Sequence, residues 1–455
     1  MTADPARTRR EAYRAATDFR KEAFTERPYI GSPAAPAQDE TNTSRLWYHL
    51  NAGFLSAYEY TRWWKESRAL RNAAVLGDWS WLSKVRITGP EASAFVNYAT
   101  VKDLTSQAVG QVMFTPMVNR DGHVAIEGLT YRLGEDEYLF TQSGAYRWLT
   151  HLREVAGMDV ELEDVTPDYT CYAVQGPRSR AVVEALTGEG FGDLPFSRFR
   201  ETTVLDTAAI VDRQGVTGER GYEFLMRTGT GKAADLWRAI RDVGREYDLR
   251  EIGFRAQQIG HTEAGYATAV RDYLPARVGP EDADHLAKHW ISREELDAID
   301  WDLAEHFCSP GELGWASRID VEGEFHGRTA VEAERRRGGP DHRFVALRWD
   351  TDDVVDLFAA QFDGGPSAPP PKMASGQHRM LYLRAFADGE PVGWASGVNY
   401  SPNLRRMISN ARLEEDVADA GTRVEVAWGG FTTDPVHRIG AEVADHPLVE
   451  HRALG

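Results

Sequence analysis

Twice along this chain, strand candidates joined by tight turns alternate with helical patterns, and that repeated order restricts the fold more than any other feature. In the first instance WLSKVRITG alternates like a strand, EASAFVNYAT reads as a short helix, and VMFTPMVN, HVAIEGLTYRL and EYLFTQS read as strands. Asn119-Arg120-Asp121-Gly122 supplies hairpin-turn chemistry between the first two of those three. YRWLTHLREVAG is the next helix and DVELEDV the next strand. In the second instance CYAVQG is a strand and PRSRAVVEAL a helix opened by proline. TTVLDTAAIVDR is then a strand pair, YEFLMRT a strand and GKAADLWRAIRDVGREY an amphipathic helix. The pattern predicts an α+β fold built from two related halves.

The flanks read differently. Residues 1–45, polar and rich in Ala, Pro and Thr, read as a helix followed by an extended arm, and the spacing predicts a helix from Thr61 to Leu76 that stops at Gly77. Pro280 to Glu305 reads as an acidic helical excursion, and GGPDHR (338–343) closes the central region. Beyond it lie the strands FVALRWD, RMLYLRAF, PVGWASGVNY and TRVEVAWG, with few helices. A small β-barrel is the expectation there, with a sandwich as the other possibility. The predicted organisation is an arm over 1–45, the paired α+β region over 46–340 and a β-barrel over 341–455. At 455 residues the chain is too long for one ordinary core.

Composition narrows the function classes. Fifty-two basic against 70 acidic residues give a net charge of −18, the wrong sign for a nucleic-acid binder that must neutralise phosphates. No stretch approaches the roughly 20 apolar residues of a membrane span. The charged start MTADPARTRREAYRAATDFRKEAF lacks a signal-peptide apolar region, so a cytoplasmic location is expected. With only Cys171 and Cys308, neither a disulfide framework nor a cysteine zinc site is expected. HLAKH (285–289) has Leu286 where a zinc protease needs Glu, and TGTGKA (228–233) lacks both a phosphate loop's first glycine and its Ser/Thr. No metal is expected. Between Trp47 and Trp81 nine aromatic residues cluster, either as core anchors or as the lining of a pocket for a flat apolar ligand.

Seven segments, in order, resemble the aminomethyltransferase family, the folate-binding T-protein of glycine cleavage and its relatives. They are VLGDWS with KVRITGPEASAFVN, GHVAIEGLTYRLGEDEYLFT, VQGPRSRAVVEAL, GVTGERGYEF, IGFRAQQIGHTEAG, ELGWASRIDVEGEFHGRTAV and PVGWASGVNYSPNL, spread over roughly residues 60 to 430. The resemblance implies three domains around a central pocket that binds tetrahydrofolate. In that family a carboxylate on the strand after the TGE turn accepts two adjacent N–H bonds from the pterin, and Glu223 matches it. Gln175, Tyr131 and Tyr266 match other positions facing folate, whereas Glu219 lies in the turn itself.

Departures from the glycine-cleavage pattern carry information too. Glu127 stands where the T-protein has an Asp beside the reactive folate nitrogen. Gln257 stands where it has an Arg that helps to dock a lipoyl-protein, which argues against that partner. WKESRALRNAAVLGD and GHVAIEG are more similar to the tetrahydrofolate-dependent aromatic O-demethylases of vanillate and syringate type. A related likeness is to the enzyme that moves the methylenedioxy carbon of sesamin to tetrahydrofolate. The resemblance implies a small-molecule aromatic ether, preferably a large neutral diaryl one, cleaved to a catechol or phenol with 5,10-methylene- or 5-methyl-tetrahydrofolate. Tyr58, Tyr60, Trp79, Trp81 and Gln257 are the expected substrate contacts. Glu127 is the carboxylate that would stabilise cationic character or take the folate proton, and His261 the donor to the leaving oxygen. The competing expectations are an amine or sulfonium demethylase, glycine-cleavage aminomethyl transfer, and a non-catalytic folate scaffold. The scaffold branch carries a Lys-Gly-Cys-Tyr signature that is absent here.

Overall fold

The computed structural model describes residues 5–16, 30–50, 54–277, 302–319, 322–371, 382–430, 435–444 and 446–453. The two halves read from the sequence each form a sheet with the same winding. In the first, strands Val112–Val118, Val124–Gly134, Glu137–Thr141, Lys84–Thr88 and Glu161–Asp164 lie side by side in that order. In the second, the order is Phe199–Val204, Thr207–Asp212, Gly221–Arg227, Tyr169–Gln175, Val75–Asp78 and Arg250–Glu251. The strand Val75–Asp78 is the only addition to the shared pattern. Each half places two helices on its sheet: Ala92–Ala99 and Ala145–Ala156 in one, Ser179–Thr187 and Ala233–Gly244 in the other. Their apolar stripes close separate cores, one around Phe95, Phe140 and Leu149, the other around Tyr172, Phe224 and Trp237.

The helix predicted over Thr61 to Leu76 is shorter than expected. It spans Trp63–Asn72, and Val75–Asp78 is instead a fully buried strand antiparallel to Tyr169–Gln175 and parallel to Arg250–Glu251. Periodicity could not separate these states, because a four-residue apolar run fits either; tertiary pairing decided it. The helix expected at the start of the arm is Pro5–Ala16. It packs where the halves join, its Arg10 paired with Asp168 and its Tyr13 hydroxyl donating at 2.9 Å to Asp164, the end of a first-half strand. Strands Ile30–Gly31, Phe54–Glu59 and Leu46–Leu50 form a small sheet of their own. The predicted excursion and the HLAKH segment fall mainly outside the described residues.

The C-terminal strands close a six-stranded barrel in the order His342–Trp349, Arg406–Glu414, Glu390–Ser401, Leu383–Ala387, Arg423–Gly429 and Val436–Ala444. Helix Thr351–Ala359, capped by the Asp350 carboxylate on the amides of Asp352 and Asp353, packs Val354 and Leu357 into the barrel core. Buried polar clusters fix the barrel to the halves. Asp272 Oδ1 accepts from Ser396 (2.8 Å) and Asn410 (3.1 Å). Glu263 accepts from Ser401 (2.6 Å), Asn403 (2.9 Å) and Arg71 (2.8 Å). Arg71 also reaches Glu219 at 3.1 Å, so one guanidinium ties the TGE turn to helix Phe254–Glu263. Among the described residues no helix is long and apolar enough to cross a membrane.

Candidate active site

Where the two sheets meet helix Phe254–Glu263, a cavity of about 310 Å³ opens. Period-2 alternation on strand Val124–Gly134 turns Glu127, Leu129 and Tyr131 to this one side. Glu223 and Cys171 come from neighbouring strands whose register sets Glu223 opposite Ala173 on one side and Asp212 on the other. The turn after Val75–Asp78 is anchored by the Trp79 amide on the Cys171 carbonyl (2.8 Å) and presents Trp79, Trp81 and Leu82. Tyr48, Phe114, Val216 and Tyr266 complete a largely aromatic wall, and one face of helix Phe254–Glu263 adds Gln257 and His261. Phe114 meets Tyr266 and Trp315 edge to face at 6.3 and 5.2 Å.

Two carboxyls interrupt this apolar lining, and burial pushes each up to about 7. Glu127 is held on both oxygens: Tyr273 donates its hydroxyl to Oε2 and Gln142 its amide to Oε1 at 3.2 Å. These bonds, with the Arg277 charge, oppose the desolvation of Glu127. Glu223 is held far more loosely. The Cys171 thiol donates to Oε2 at 3.6 Å, the Trp79 indole stands nearby, and the Lys84 ammonium supplies positive field. A carboxylate so weakly engaged at an apolar cavity floor can accept strong hydrogen bonds from a ligand with adjacent N–H groups. The residues therefore fit a pterin.

Most of the residues expected from sequence converge here. Glu127, Tyr131, Glu223, Tyr266, Trp79, Trp81, Gln257 and His261 all line the cavity. Tyr131 presents its ring, because its hydroxyl is spent on Asp212 Oδ2 at 2.6 Å. His261 sits against the Tyr266 ring at 5.7 Å, with Nδ1 3.2 Å from the Thr268 hydroxyl. Three residues lie elsewhere. Gln175 is locked by Thr217 (2.8 Å) and the Gln214 carbonyl (3.2 Å), and does not line the cavity. Tyr60 packs on Trp237 (6.1 Å) in the second-half core. Tyr58 stands behind Tyr48, 6.0 Å away, under the Arg255 guanidinium. Tyr58 and Tyr60 sit two apart at the end of a strand, and proximity in sequence to the aromatic run said nothing about which wall they face.

The structure adds Tyr48, Lys84, Phe114, Cys171, Tyr273 and Arg277, which the sequence reading passed over as site residues. Tyr48 was in the aromatic run. Lys84 and Cys171 carried no signal: Lys84 opens a strand that also holds Arg86, and Cys171 lies inside a strand buried throughout.

Comparison with known proteins agrees with this geometry. The family model described as the GCVT N-terminal domain matches residues 44–283. The chain is 29% identical over 390 residues to the sesamin methylene transferase of Sinomonas sp. strain No.22, covering 80% of this chain and 83% of that one. It is 30% identical over 382 residues to an aminomethyltransferase of Thermoanaerobacter pseudethanolicus, covering 82% and 88%. The glycine cleavage system aminomethyltransferase T of Bartonella henselae superposes with a TM-score of 0.70 at 18% identity, covering 94% of this chain and 99% of that one.

Proposed function

The chain belongs to the GCVT aminomethyltransferase family, whose members use tetrahydrofolate as one-carbon carrier, and from that premise we propose that it cleaves an aromatic ether, transferring the ether carbon to tetrahydrofolate. The observation that carries this reading is the pairing of an aromatic cavity wall with two buried carboxyls of different anchorage. A small charged amine or sulfonium would call for paired polar groups where this cavity has Trp79, Trp81 and Phe114. The similarity to a sesamin methylene transferase supports a methylenedioxyphenyl ether as the substrate type.

Bound tetrahydrofolate supplies a nucleophilic amine that receives the one-carbon unit. Glu223 holds the pterin by accepting its paired N–H groups, with Tyr131 and Tyr266 as apolar faces for the ring. Glu127, fixed by Tyr273 and Gln142, is a base near neutrality and takes a proton from the amine or stabilises positive charge at the reacting carbon. His261, from the helix that lines the same cavity, donates a proton to the departing phenoxide oxygen in this reading. Trp79, Trp81 and Tyr48 hold the aryl group and exclude water, so proximity supplies much of the rate.

The test is anaerobic incubation of the protein with tetrahydrofolate and a panel: sesamin, a simple methylenedioxybenzene, vanillate, syringate and a glycine-cleavage intermediate mimic. Mass spectrometry should find a catechol or phenol together with one-carbon folate, and both should vanish in Glu223→Gln. Turnover of the glycine-cleavage mimic alone would overturn the aryl-ether reading in favour of aminomethyl transfer.

A further inference from the structure

Lys84 is fully buried and lines the cavity that holds Glu223. Its Nζ donates to three carbonyls of the adjoining turn, those of Leu82 (2.6 Å), Ser80 (3.3 Å) and Trp79 (3.4 Å). That turn carries Trp79 and Trp81 into the cavity. The same ammonium lies in the field of Glu223 and of Cys171, and of Asp78 and Asp164 on the strands packed around it. Glu223 in turn faces Lys84, the Cys171 thiol and the cross-strand carboxyl of Asp212. Lys84 is thus the positive charge that weighs against Glu223 in the cavity, and the donor that fixes the aromatic turn beside it.

We propose that Lys84 is a positioning residue with two roles: its charge keeps Glu223 ionised to bind the ligand, and its hydrogen bonds hold the Trp79–Leu82 turn that shapes the aryl subsite. The proposal rests on Glu223 being the folate anchor. Its physical basis is that a buried cation favours the charged form of a neighbouring carboxyl, while an ammonium can satisfy three carbonyls at once. Without the charge, Glu223 takes up a proton at higher pH and then can no longer accept both ligand bonds. Without the donors, the turn loses its lock whatever the pH.

The experiment is anaerobic calorimetric titration of tetrahydrofolate between pH 5.5 and 9 into wild type, Lys84→Met, Lys84→Gln and Glu223→Gln. KM for the aryl substrate is measured in parallel. Wild-type affinity should fall below about pH 7. In both Lys84 variants the midpoint should move to higher pH, with affinity about tenfold weaker near neutrality and restored at pH 9. Gln still donates to a carbonyl and should leave KM at pH 9 near wild type, whereas Met should raise it severalfold. Should Lys84→Met fail to fold, the midpoint of Lys84→Gln decides the charge role. An unmoved midpoint in the Lys84 variants, beside a clear defect in Glu223→Gln, would overturn the Lys84 role alone. Full affinity in Glu223→Gln would overturn the folate anchor and the Lys84 role with it.

Discussion

Asp212 and Glu223 stand directly opposite each other on neighbouring strands, two buried carboxyls forming one cross-strand pair. Burial raises both; Asp212 rises well above its ordinary value because Glu223 is beside it as well, although the Tyr131 hydroxyl partly opposes this. The pair therefore loses its protons in separate steps, with Glu223 the member that sits at about 7.

Stability should follow from that assignment. Glu223 sits at about 7 in the folded protein and near 4.3 unfolded, so its neutral form favours folding below about pH 4. That contribution is lost as pH rises through 7. Glu223→Gln should therefore stabilise the ligand-free protein by about 3–4 kcal/mol at pH 8 and by almost nothing at pH 4. Denaturant unfolding at the two pH values measures this; equal gains for Glu223→Gln at pH 4 and 8 would contradict the raised value of Glu223.

The activity profile should report on Glu127. Its base form is needed, so turnover should rise as pH passes through about 7. Tyr273→Phe removes a hydrogen bond to the charged form and should move that rise to higher pH, costing about tenfold at pH 6.5 with recovery by pH 9. Glu127→Gln should lower kcat by roughly 10²–10⁴ above pH 7 and abolish the rise itself. A pH–rate profile unchanged in Tyr273→Phe would show that Glu127 is not the titrating base.

Substrate size should be read by Trp81, which lines the cavity and packs against the cluster of Ile30, Phe54 and Phe254. Trp81→Ala should raise KM for a two-ring ether by about tenfold, the order expected for losing one aromatic contact. The single-ring methylenedioxybenzene and the folate affinity should change by less than about threefold. Steady-state kinetics with the two ethers distinguishes these outcomes, and equal effects on both would remove Trp81 from the second-ring subsite.

Arg71 should matter for integrity rather than chemistry. It is the buried partner of both Glu219 and Glu263, while Arg452 adds a 2.7 Å contact to Glu219. Arg71→Met strands two carboxylates and should cost about 3–5 kcal/mol in denaturant unfolding, the range for breaking a buried pair. A loss below 1 kcal/mol would mean that Arg452 and water compensate.

Much of this was legible in the sequence, and the reasons are local. Strand alternation, the Asn119–Gly122 turn and the helix patterns each depend on nearest neighbours, so both halves could be written down before any contact was known. Glu223, Glu127 and Tyr266 were legible through motif order, since a turn and strand of fixed length deliver a side chain to a fixed place. Strand Arg406–Glu414 was missed, because Ser409, Asn410 and Arg412 make it look like a loop. They are buried to bond Trp349 (3.0 Å), Asp272 (3.1 Å) and the Phe307 carbonyl (3.1 Å), partners far away in the chain.

What the sequence determined by itself was the set of elements, their repeated order and the kind of chemistry the motifs can carry, because these follow from short-range periodicity and spacing. Which aromatic rings face the cavity was decided only by tertiary structure: Trp79 and Trp81 line it, while Tyr58 and Tyr60 do not. The same holds for the approach of Lys84 to Glu223 in one cavity, from strands more than a hundred residues apart. Burial and the sum of neighbouring charges set a carboxyl's protonation, and both are properties of the packed molecule that no window of sequence contains.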